Sequence, residues 1–213
     1  MPATSRAGSL RELLSPFLRL AARLAGGESA WERLTIRVPP SVFGPGSQQP
    51  FAKYFEGPSS VPVRSIDDIV AWLQTCEYIT DVELFHKPDV WQHPGTFETL
   101  RRGDCEDFAL WAWRKLAEIG IDAELFVGRV ICDDGPELNR QHAWIVYRVG
   151  GTDFLFEPAA RTLSRMIRPL ADAMGDYVPH FAVNHRFDTA AFVGCACGSH
   201  RRSVPWHDPA RTF

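Results

Sequence analysis

Residues 142–159, HAWIVYRVGGTDFLFEPA, limit the fold more tightly than any other stretch of the chain. Alternating apolar residues on both sides of Gly-Gly-Thr-Asp predict an antiparallel hairpin. A turn centred on Gly150-Gly151 pairs 149 with 152, which sets 142 opposite 159 and 144 opposite 157. Glu157 then lies diagonal to His142 on one face, within side-chain reach. A slip of one residue would send it to the other face. Upstream, IDAELFVGRVIC (121–132) alternates in part and reads as a strand, and 133–141 reads as a loop. Before these comes a helix over 105–119, with Asp104 as N-cap, Asp107 three residues on, and Gly120 as the stop. One helix followed by three consecutive strands predicts an α+β fold, an antiparallel sheet packed on a helix.

The remainder is less regular. Ser65 caps a predicted helix over 65–81, with Ile66, Ile69, Val70, Leu73 and Cys76 at helical spacing. Residues 38–64 are rich in Pro, Gly and Ser and read as loop, and 87–103 reads as mostly irregular, with room for a short turn before Gly103. The expected organisation is an N-terminal helical and loop extension (1–60), a core (61–190) and an irregular tail (191–213). In the extension, Leu10, Leu13, Leu14, Phe17, Leu18, Leu20 and Leu24 form an apolar stripe broken by Arg11, Arg19 and Arg23. That pattern predicts an amphipathic helix, with neither the unbroken apolar run of a signal peptide nor a membrane span.

A hydrophobic content of 45% over 213 residues suits one globular domain. The net charge of −3 gives no electrostatic footprint for nucleic acid. Five cysteines at irregular spacing do not form a disulfide framework, so a reducing, cytoplasmic setting is expected.

Cys105 stands at the tip of the predicted helix, inside GDCED (103–107). Unpaired N–H groups and the positive end of the helix dipole favour thiolate there and suit a developing oxyanion. The flanking Asp104, Glu106 and Asp107 oppose this by like-charge repulsion. A nucleophilic cysteine needs a base, and the base needs an orienting acceptor. His142, 37 residues on, and Glu157, 15 residues beyond it, meet those needs in order and on adjacent strands.

GDCEDFAL, with Trp91, Pro94, Phe97 and Leu100 before it and HAWIVY…FEP after it, resembles the transglutaminase-like superfamily, and within it the bacterial transglutaminase-like cysteine peptidases. The resemblance covers roughly residues 65–160. It implies a papain-like α+β fold with Cys105 as nucleophile, His142 as general base and then acid, and the residue at 157 as orienter. The family usually carries Asp at that last position, where this chain has Glu157; Asp153, in the turn, is a poorer substitute. Some family members bind calcium through acids flanking the cysteine, which makes Asp104 and Glu106 candidate calcium ligands; no other cofactor is expected. Trp91 and Gln92 are candidate oxyanion donors or walls of a substrate groove. Cys195, Cys197, His200 and His207 do not match a common zinc spacing.

The expected activity is acyl transfer through a Cys105 thioester, with a protein or peptide as substrate and water as the preferred acceptor. Transfer to an amine, an amidase acting on a small molecule, and a peptide-binding module without activity are the alternatives. Oligomeric state is left open.

Overall fold

A computed structural model describes residues 31–131 and 141–193. The predicted amphipathic helix and the tail cysteines and histidines lie outside them. The strands are β1 (Glu32–Thr35), β2 (Glu77–Tyr78), β3 (Arg102–Gly103), β4 (Asp122–Val130), β5 (Gln141–Val149), β6 (Thr152–Phe156), β7 (Ile167–Pro169), β8 (Tyr177–Asn184) and β9 (Thr189–Val193). The helices are α1 (Ile66–Leu73), α2 (Asp81–Phe85), α3 (Pro94–Leu100), α4 (Cys105–Glu118), α5 (Leu163–Met166) and α6 (Leu170–Ala173), with short 3-10 turns at Pro40–Val42, Phe51–Phe55 and Met174–Asp176.

Among the described residues, seven strands make one sheet in the order β1-β9-β8-β4-β5-β6-β7, with every pairing antiparallel. The hairpin adopts the predicted register: Val149 faces Thr152, Tyr147 faces Phe154 and Ile145 faces Phe156. Gly150 and Gly151 have φ of 59° and 80°, a left-handed turn that other residues adopt only with strain.

Alternation along the strands divides the core between the two sheet faces. Leu125, Val127, Ala143, Ile145, Tyr147 and Phe156 pack with Phe108, Leu110, Trp111, Ala112, Trp113 and Leu116 of α4. Phe126, Trp144, Leu155, Tyr177 and Ala182 form a second cluster, with Trp31, Leu170 and Phe192 against it. Opposite Val127 and Gly128 the register shifts by one residue, His180 of β8, while Phe126 and Val130 share the second face by the alternation of β4.

Three expectations are corrected. The helix from Ser65 ends at Leu73 rather than 81, because Glu77 and Tyr78 pair in parallel with β3. The stretch expected to be irregular contains α3, started by Pro94 after a His93 cap. Residue 60 is not a structural boundary. Phe43, Phe51 and Tyr54 are buried in the main core, and β1 joins the sheet.

α4 also clamps the chain before α1. Arg114 donates to the carbonyls of Tyr54, Glu56 and Gly57. Lys115 is fully buried; it donates to Val61 O at 2.6 Å and pairs with Glu98 at 3.2 Å and Glu118 at 3.0 Å.

Candidate active site

Cys105 is the first residue of α4, and local geometry fixes it there. The Asp107 carboxylate accepts from the backbone N–H of Asp104 at 3.4 Å, closing the first turn. Asp107 also accepts from the backbone N–H of Gln92 at 2.8 Å and from the Gln92 side-chain amide. These bonds tie the 89–92 loop to the helix tip. Gly103 makes this approach possible: a Cβ there would collide with the Asp107 carboxylate and the Gln92 amide.

The backbone N–H of Ala143, at the start of β5, acts on the sulfur and favours its thiolate, though less than burial opposes it. His142, the preceding residue, stacks beside Trp144 at 6.3 Å between ring centroids. Its Nε2 is 2.6 Å from Oε2 of Glu157. The ladder ends at Phe156, and Glu157 is held just beyond it by its backbone N–H, which donates to Met166 O at 2.7 Å. The Glu157 side chain is buried, and Tyr177 donates its hydroxyl to the same Oε2 at 3.2 Å. Asp153 is occupied elsewhere, pairing with Arg148 at 2.6 Å.

The electrostatics around the thiol run against the helix-tip expectation. Burial, then the charges of Glu106 and Asp104, push the Cys105 thiol well above its ordinary range, and Sγ donates to Glu106 Oε2 at 3.1 Å. Here desolvation and two like charges outweigh half a unit of helix-end charge. The acids push one another up as well. Burial raises Glu106, Asp104 and Asp107, and with the charge of Asp104 it raises Asp81 to about 6.

These acids come from three segments. Asp81, Asp104 and Asp107 each offer an oxygen within 4.8 Å of the others, and so do Asp81, Asp89 and Glu106. One oxygen each of Asp81 and Asp104 is buried with no hydrogen-bond partner. Asp104 and Glu106, the sequence candidates, therefore belong to a larger oxygen-rich cluster that sequence reading missed. Asp81 and Asp89 lie in segments where no periodicity marked them.

The two candidate oxyanion donors are committed to other acceptors. Trp91 Nε1 donates to Asp89 at 3.1 Å, and the Gln92 amide donates to Arg102 O at 2.9 Å and to Asp107. Both side chains are buried and hold the loop against the helix. An oxyanion role for either requires breaking these bonds. Tyr177, too, was not found from sequence, since strand β8 was not foreseen.

Among known proteins, LapG of Legionella pneumophila is similar in structure, at 20% identity and a TM-score of 0.44, with 56% of this chain and 64% of that chain covered. A calcium-bound LapG structure from the same organism is similar at 17% identity and a TM-score of 0.46, over 73% of this chain and 81% of that one. This chain thus spans just under two thirds of the first of these relatives. No curated protein matches the sequence. The family model of bacterial transglutaminase-like cysteine proteinases matches residues 59–177. Since that match runs from the segment clamped by α4 to the first residue of β8, and takes in more than half of the chain, the protein belongs to the bacterial transglutaminase-like cysteine proteinases.

Proposed function

We propose that the protein is a peptide-bond hydrolase in which Cys105, His142 and Glu157 act together on a protein or peptide substrate. The observation that carries this reading is the 2.6 Å contact between His142 Nε2 and the buried Glu157 carboxylate. With Nε2–H given to Glu157, Nδ1 is the basic ring nitrogen. His142 takes the thiol proton, Cys105 attacks the scissile carbonyl, and the tetrahedral adduct collapses to a thioester as His142 returns the proton to the leaving amine. Water, deprotonated by His142, then releases the acid. Glu in place of Asp reaches the imidazole because residue 157 lies just past the ladder, with its carboxylate turned back along the face it shares with His142.

The test maps iodoacetamide alkylation by mass spectrometry. Cys105 is expected to label faster than Cys76: burial raises both thiols, but only Cys105 has His142 proposed as its base. Glu157→Gln is expected to slow Cys105 labelling and peptide hydrolysis by roughly 100-fold, the scale of a lost acid–base partnership. Equal labelling of the two cysteines, or an unimpaired Glu157→Gln variant, would sink this reading.

Calcium is proposed as a resident ion, held by Asp81, Asp89, Asp104 and Glu106, because hard carboxylate oxygens suit it and two buried oxygens lack partners. Its charge would offset the repulsion among these acids. Without it, the raised acids bind more protons folded than unfolded, so the metal-free protein is expected to lose stability as pH rises through about 6, the value for Asp81. Saturating calcium should flatten that slope and raise the melting temperature, by about 2.7 kcal/mol of stability at 100 times Kd. Asp81→Asn should weaken the gain. A melting temperature indifferent to calcium and EGTA counts against the site.

A further inference from the structure

We propose that Tyr177 is a positioning residue for the His142–Glu157 pair, fixing the longer carboxylate so that one oxygen, Oε2, faces the imidazole. The inference rests on the role given to Glu157 above.

Glutamate has one more side-chain torsion than aspartate, so a single acceptor contact with His142 leaves its carboxylate free to swing. Three contacts act on Glu157. Its backbone N–H is held by Met166 O, His142 Nε2 meets Oε2 at 2.6 Å, and the Tyr177 hydroxyl donates to the same Oε2 at 3.2 Å. Oε1 is buried with no partner. The pair of donors on one oxygen therefore decides which way the carboxylate faces. A buried carboxylate held by two donors in a dry site is also oriented more firmly than one facing water.

Tyr177 is itself firmly placed. It is buried at the start of β8, with its ring 4.9 Å from Trp144, the tryptophan that stacks on His142. The Arg168 guanidinium lies 6.0 Å over the ring and pairs with Asp176 at 3.0 Å, so the residue before Tyr177 is anchored as well. Burial and the Glu157 charge push the phenol well above its ordinary range, which keeps the hydroxyl a donor throughout the working pH of a thiol enzyme. Trp144 and Tyr177 thus pack in one cluster, with His142 stacked on the first and Glu157 bonded to the hydroxyl of the second.

Tyr177→Phe removes only the hydroxyl and keeps the ring packing. The rate constant for iodoacetamide alkylation of Cys105 in the full chain is expected to fall roughly 10-fold, as for loss of a hydrogen bond to a charged acceptor. In a Glu157→Gln background, the same change should add less than twofold, because the group it positions is already gone. In 15N-labelled protein, the downfield Nε2–H resonance of His142 should show a cross-peak to a slowly exchanging Tyr177 hydroxyl proton, and should shift in Tyr177→Phe. This spectrum of the unmutated chain decides the matter even if the variant folds poorly. A Tyr177→Phe rate within twofold of the original, with Glu157→Gln strongly impaired, overturns the inference and leaves the role of Glu157 standing. So does an equal loss in both backgrounds, or the lack of a cross-peak. An unimpaired Glu157→Gln overturns both.

Discussion

Cys105→Ala is expected to reduce peptide hydrolysis by at least roughly 1,000-fold, to the level of a site without its nucleophile. The measurement is the release of new N-termini from a proteome-derived peptide library, compared between the two chains by mass spectrometry. The proposed mechanism gives the sulfur a bond-forming role that no neighbour can assume: Glu106, Asp104 and Asp107 are engaged with one another and with the helix tip. Cys105→Ser is expected to be nearly as inactive, since an alkoxide is far harder to form than a thiolate beside these acids. The fold should survive both changes. The side chain is only partly buried, and alanine and serine are tolerated at the first turn of a helix. A melting curve close to that of the unaltered chain separates lost chemistry from lost structure. Hydrolysis that persisted in a folded Cys105→Ala variant would remove the nucleophile from the mechanism and favour the peptide-binding alternative.

Glu98→Ala is expected to destabilise the chain by about 3–5 kcal/mol, a large part of the stability of an ordinary domain. Lys115 is fully buried on α4, and Glu98 is its buried carboxylate partner on α3, with Glu118, at the end of α4, half-exposed. Glu98 also accepts from Ser59 at 2.5 Å, from the Ser60 N–H at 2.7 Å and from Trp111 Nε1 at 2.9 Å. Its removal leaves the buried ammonium with only the more exposed carboxylate of Glu118, and releases the 59–61 segment from α3 at once. Lys115→Met in the same chain should restore much of the loss, since the uncompensated charge is then gone. Urea melts of the single and double variants measure this; an additive double variant would show that the two groups do not act as a pair. The pH dependence follows in sign. Burial works against the ionised Glu98, but the bonds from Ser59, Ser60 and Trp111 outweigh it and hold the group at about 2, below its ordinary 4.5. A depressed carboxylate contributes stability that is present above about 4.5 and lost as pH falls toward 2. Acid melts of the Glu98→Gln variant should lack that component.

What was legible in the sequence is what short-range chemistry controls. Gly150-Gly151 set the hairpin register, and the register alone placed Glu157 on the face of His142. Asp104, Asp107 and Gly120 fixed both ends of the helix that carries Cys105 to within a residue. The core helix FALWAW was recognised by its apolar side chains, but the two cations that follow it were not seen as buried clamps. A lysine or arginine on a helix is normally solvated, and only the path of the 54–61 segment over α4 supplies carbonyls and a carboxylate to hold them.

The sequence by itself determined the α+β class, the helix tip with its thiol, and the pairing of His142 with Glu157, because each depends on a cap, a turn or a strand period within a few residues. Only the tertiary structure decided the charge state and surroundings of that tip. Asp81 and Asp89 reach it from other segments, Trp91 and Gln92 give their donors to acids, and Tyr177 arrives from a strand 35 residues beyond His142. The physical reason is that desolvation and like-charge repulsion depend on which groups burial brings within a few ångströms, and chain topology sets that. The acids around Cys105, read locally as a cap with a dipole complement, belong to a wider carboxylate cluster, and after burial it is Glu106 and Asp104 of that cluster that push the thiol up.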